Sequence, residues 1–194
     1  ARVHVGYAYL EMGGYQHGKT SLRDALAAAR RMGLHNVVAT AKHNLGMALD
    51  EEGRTEEAIA EYQRAVTLSD EFPQTHHNLA GALLRIGRAD QAIAELRRAV
   101  EIDPTFHHAW IRMGVIAAQR GDNRNAAEAF DRARQAYPYE PAAYVGLAHL
   151  AAQEGRTGDA AQILRDGLRA LPGDRTLSDA LRRLDPGPEP AAAR

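Results

Sequence analysis

The sequence predicts an all-α chain, a solenoid of stacked antiparallel helix pairs. Three observations predict it. Gly53, Gly87, Gly121 and Gly155 recur every 34 residues, and other columns keep the same period. Within each period, apolar residues fall at i, i+3, i+4 and i+7 in two separate stretches, which is helical spacing. Alanine and arginine are plentiful, while Phe numbers 3 and Trp 1, so helices must pack closely through small side chains.

The columns define the elements. Ala58, Ala92, Ala126 and Ala160 fall together, as do Ala65, Ala99, Ala133 and Gly167. Tyr62, Leu96, Phe130 and Leu164 form a large apolar column. Leu45, Leu79, Met113 and Leu147 form another, each followed by a small residue: Gly46, Ala80, Gly114 and Ala148. The first helix of a period ends at its glycine, which takes a left-handed cap without strain. The second ends near Pro104, Pro138 or Pro172. Small residues admit close approach, large ones fill the gap, and no period can bury its face alone. After Pro172, Leu177, Leu181 and Leu184 share one stripe, which predicts a capping helix; "DPGPEPAAAR" then reads as a disordered tail.

Trp110, Met113-Gly114, Ala126, Phe130 and Pro138 fit the pattern W-x2-L-G-x2-Y, then A-x3-F, then P. The chain therefore resembles the tetratricopeptide repeat family. That implies a right-handed α-solenoid over 1–172, with repeats about 1–38, 39–72, 73–106, 107–140 and 141–172, a capping helix over 173–185 and a tail over 186–194. Ten repeat helices and one cap are expected. The first repeat is longer, about 40 residues from Gly6 to Gly46, similar in length class to the longer-helix repeats of kinesin-light-chain-type blocks.

"GGYQHGKT", Gly13 to Thr20, spells G-x-x-x-x-G-K-T, a phosphate-binding loop if a strand precedes it. In the repeat register, Val5-Gly6 stands for the Leu-Gly pair and Gly13 for the turn glycine. Gly18, Leu22 and Ala25 then fill the second helix, and the match is a coincidence of spacing. "VHVGYAYL" alternates as a strand would, so a nucleotide hydrolase stays as an alternative that Lys19→Ala would test.

Composition bounds the rest. Lys+Arg is 24 against Asp+Glu 25, a net charge of -1, which speaks against a nucleic-acid partner. With 0 Cys there is no thiolate chemistry. No apolar run is long enough to enter a membrane as a helix. The length fits about one domain, and the cytoplasm is the expected compartment. The chain opens at Ala1 without a methionine, which reads as a piece of something longer. No enzyme is expected: no Ser-His-Asp or paired-carboxylate set is recognisable, and the acidic residues of "TEEA" and "GD" sit where they would cap helices. No cofactor or metal is expected either. The adjacent pairs His76-His77 and His107-His108 should point apart on a helix, and His43 and His77 are a whole repeat apart, roughly 10 Å, too far to share one ion.

In such a stack the first helix of each pair lines the concave side. Its outward face carries Thr40, His43, Asn44, Met47, Asp50 and Glu51 in the second repeat, then Gln74, His77, Asn78, Gly81, Leu84 and Arg85 in the third. It carries His108, Ile111, Arg112, Val115, Ala118 and Gln119 in the fourth, then Ala142, Val145, Gly146, His149, Ala152 and Gln153 in the fifth. The earlier half is polar and the later half small or apolar. Two groove chemistries follow by resemblance. Chaperone-binding tetratricopeptide domains hold a terminal carboxylate; their positions map to His43 and Met47, then Asn78, then His108 and Arg112, of which Asn78 and Arg112 match. The asparagine ladder of O-linked N-acetylglucosamine transferases maps to Asn44 and Asn78, and breaks at Arg112 and Gly146. The expected function is a protein-interaction scaffold that docks a peptide or helix of a protein partner in the groove. The candidate contacts are His43, Asn44, Met47, His77 and Asn78, then His108, Ile111, Arg112, Val115, Val145 and His149. The alternatives are a regulatory or sensor module of a larger protein and a scaffold that self-associates through its end helices.

Overall fold

The computed structural model describes residue 27 and residues 34–184. Most of the first repeat, the Gly13–Thr20 stretch and the 186–194 tail lie outside the described residues. Nine helices and no strand occur among the described residues: α1 (His35–Glu51), α2 (Thr55–Leu68), α3 (Pro73–Arg85), α4 (Ala89–Ile102), α5 (His107–Gln119), α6 (Asn123–Ala136), α7 (Pro141–Gln153), α8 (Thr157–Ala170) and α9 (Arg175–Leu184). The fold is an all-α helical repeat. The chain divides into two compact units, Ala1–Asp103 and Pro104–Arg194. In a repeat chain each repeat packs mainly on its neighbours.

The glycine column has one cause. Gly53, Gly87, Gly121 and Gly155 have φ between +74° and +76°. Gly87 N–H donates to Leu84 O at 3.0 Å, and Arg88 N–H reaches back to Leu83 O at 2.9 Å. This pair of bonds is the Schellman cap, and the same pair recurs at the other three glycines. An L side chain at that φ is strained. Gly87→Ala should therefore lower unfolding free energy by about 1 kcal/mol, read from a denaturant midpoint; an unchanged midpoint would contradict this cap.

The two facing columns match in size. Where the second helix offers an aromatic ring, the first offers glycine: a Cβ on Gly46 would lie 2.7 Å from the Tyr62 ring, and one on Gly114 2.8 Å from the Phe130 ring. Where the second helix offers Leu96 or Leu164, the first has Ala80 or Ala148, all four buried. Ala58, Ala92, Ala126 and Ala160 are each 0% exposed, which lets each hairpin close.

A further column was not assigned from sequence. Lys42, His76, Trp110 and Tyr144 are 34 residues apart, and each anchors a polar tip. Trp110 Nε1–H donates to Pro104 O at 2.9 Å and Tyr144 O–H to Pro138 O at 3.0 Å, both six residues back. His76 Nε2 meets Asp70 Oδ1, also six residues back, at 2.7 Å, and its Nδ1 meets Glu95 Oε2 at 2.7 Å. Buried Lys42 donates to Glu61 at 2.7 Å, the counterpart of His76 with Glu95. Burial would raise the Asp70 carboxyl, but hydrogen bonds from Arg98 and His76 outweigh it and hold Asp70 below its usual range.

α1 starts at His35 and buries Val38 at 2% exposure. Two expectations need correction. The acids of "TEEA" do not cap α2 with a side chain; Glu57 instead ion-pairs with Arg54, whereas Asp122 of "GD" does accept from Asn125 N–H at 3.2 Å. The second concerns the histidines and belongs with the site.

α9 places Leu177 in a buried cluster with Tyr144, Ala148, Ala151, Ala160 and Leu164; Leu181 and Leu184 pack on its edge. No described helix is long and apolar enough to cross a membrane.

Candidate functional site

The second unit carries an open apolar groove of about 710 Å³. Helix α5 contributes Ile111, Val115, Ala118 and Gln119. Helix α7 contributes Pro141, Ala142, Val145 and Gly146, with His149 and Gln153 one and two turns further on. Phe130 of α6 also lines it, reaching between the two helices from beneath. The reason is steric: a Cβ on Gly114 would stand 2.8 Å from that ring and one on Gly146 2.6 Å from it, so both helices settle against the ring through bare backbone. Glu140 and Thr176 complete the lining.

The rim is polar. The Gln153 amide nitrogen lies 3.0 Å from His149 Nε2. Glu140 is the N-cap of α7, its Oε1 accepting from Ala142 N–H at 3.2 Å.

Of the residues expected to line a groove, Ile111, Val115, Val145 and His149 are brought together here. His108 and Arg112 belong to α5 but do not line this cavity. His43, Asn44, Met47, His77 and Asn78 belong to the first unit. There Asn44 is 7% exposed, buried rather than on an open face as its position implied. His43 is half-buried: its Nδ1 lies 3.0 Å from Thr75 Oγ1, its ring 5.7 Å from that of Tyr62. Burial lowers its pKa to about 4, so at neutral pH it presents no cation to a carboxylate. Sequence reasoning missed Phe130, Glu140, Pro141 and Thr176 as lining residues. Phe130 belongs to the large apolar column, and the other three lie outside the face that helical periodicity marks.

The adjacent histidines behave differently from each other. His76 and His77 diverge as expected, His76 buried and His77 half-buried. The rings of His107 and His108 do not: their centroids are 3.9 Å apart. They are the first two residues of α5, where no preceding turn constrains the side chains. Tyr137 stacks on His107 at 4.6 Å, and Phe106 sits 5.6 Å from His108. Burial lowers the His107 pKa, and His108 lowers it further, against the pull of Glu140. His107 Nε2 lies 3.8 Å from Glu140 Oε2.

Two family models, both described as tetratricopeptide repeat, match the chain: one over residues 51–112 and 117–184, the other over residues 1–71. The chain belongs to the tetratricopeptide repeat family. The second match takes Gly13–Thr20 into the tetratricopeptide repeat region. A comparison with curated protein sequences gives no significant match. Solved structures share the fold. MamA is 19% identical with a TM-score of 0.73, covering 85% of this chain and 93% of that one. PilF of Pseudomonas aeruginosa is 19% identical with a TM-score of 0.75, covering 96% and 91%. YrrB, described as a tetratricopeptide repeat protein with an unusual peptide-binding site, is 18% identical with a TM-score of 0.69, covering 94% and 90%. The tetratricopeptide repeat is a protein-interaction scaffold fold, generally without catalysis of its own. At these identities the structures speak to fold alone.

Proposed function

We propose that the chain is a docking scaffold whose second unit takes an apolar peptide segment or helix of a protein partner in the groove between α5 and α7. One observation carries the reading: Ile111, Val115 and Val145 share one concavity lined with small residues and rimmed by amides, a histidine and a carboxylate. Val115 is 42% exposed and shares the concavity with Ile111 and Val145, and grouped apolar surface of this kind marks a contact site. A volume of about 710 Å³ holds a few side chains of a peptide, not only a solvent ion. Side-chain amides at the rim offer donor and acceptor together, which suits peptide backbone. The reading is one of binding without chemistry. YrrB's peptide-binding site, on the same fold, makes peptide the first class of ligand to try.

A displayed random-peptide library selected on the untagged chain tests this. Peptides recovered should bind the native chain, and Val115→Asp with Val145→Asp should weaken them at least about tenfold, the effect of losing a buried hot spot. Peptides that bind both proteins equally, with the variant's helical circular dichroism unchanged, would overturn it.

A further inference from the structure

We propose that His107, His108 and Glu140 form a binding site for a divalent transition-metal ion, with two imidazoles and one carboxylate as ligands. Their ligand atoms lie within 4.8 Å of one another. Tetrahedral bonds of ~2.1 Å put ligand atoms about 3.4 Å apart, so closure takes about an ångström of side-chain movement. All three side chains are at least partly open to solvent, so that movement disturbs no core.

Several features pre-arrange the set. Tyr137 stacks on His107 and limits its rotation. Glu140 Oε1 is held by Ala142 N–H, which leaves Oε2 to face His107 Nε2 at 3.8 Å. The histidines open α5 and Glu140 is the N-cap of α7, so the repeat itself brings the carboxylate to histidines 33 and 32 positions earlier.

The donor set selects the ion. Calcium and magnesium ask for six or more oxygens, and one carboxylate does not supply them. Both helix starts present the positive end of the helix dipole, which opposes a cation held by electrostatics alone. Coordinate bonds from imidazole overcome that, and imidazole with carboxylate suits zinc and its first-row neighbours. Three protein ligands leave a tetrahedral ion one open position. Glu140 is also one of the residues that line the groove. The site stands independently of peptide docking.

Zinc chloride is titrated into the untagged full chain at pH 7.5 by calorimetry. One saturable site is expected, weakened about tenfold or more in His108→Ala and in Glu140→Gln, on the scale by which metal-site substitutions act. His108 is exposed, and glutamine keeps an oxygen for the α7 cap, so both variants should fold as the native chain does. Equal zinc binding in native and variant proteins would place the ion on other histidines and overturn the proposal, as would no saturable binding to the native chain.

Discussion

Phe130→Ala should lower unfolding free energy by about 3–5 kcal/mol, the range for removing a buried aromatic ring. Phe130 is 3% exposed and buried with Ala126 and Leu150. Two helices lean on the ring through Gly114 and Gly146, and alanine leaves a void that neither glycine can fill. The loss should reach the groove as well, because the ring is one of its walls. A double-mutant cycle sharpens the test. Phe130→Leu alone should destabilise, and adding Gly114→Ala should recover part of the loss, recreating the Ala148 and Leu164 pairing of the next repeat. Additive losses would show that the two columns do not complement each other. Urea denaturation followed by circular dichroism reads both effects.

The second large effect is on acid stability. Burial lowers the His43 pKa from 6.5 to about 4, so between these values the unfolded chain holds the extra proton. Stability from this group is complete above pH 6.5 and falls as pH drops toward 4. From pH 7.5 to 5 the loss is on the order of 2 kcal/mol. His43→Gln keeps a polar partner for Thr75 and does not titrate. It should flatten that part of the pH profile while leaving stability at pH 7.5 within about 1 kcal/mol. A variant that loses as much stability as the native chain over this range would place the proton elsewhere. Asp70 acts lower down: its folded pKa is depressed, so its share is present above the ordinary aspartate range and is lost as pH falls through the folded value.

Much of this was legible in the sequence, for a physical reason. A period of 34 residues combined with 3.6-residue spacing fixes which Cβ atoms point outward, and nine positions so marked on α5 and α7 line the groove. Periodicity does not say what covers a position. Asn44 is outward by angle yet buried, and His76 is buried because Asp70 from the preceding loop and Glu95 from the next helix both meet its ring. Nor does periodicity hold at a helix start. His107 and His108 come together because the first turn leaves their side chains free to follow Tyr137 and Phe106. Glu140, Pro141 and Thr176 reach the groove from helix starts, for which a mid-helix angle gives no guide.

Methyl-resolved NMR of the chain, titrated with a library-selected peptide, tests groove docking most directly. The Ile111, Val115 and Val145 methyl signals should shift together and saturate, while Ile59 and Ile93 of the first unit stay in place. Saturable binding that leaves those three methyls unmoved, and shifts residues on α6 or α8 instead, would contradict docking in the groove.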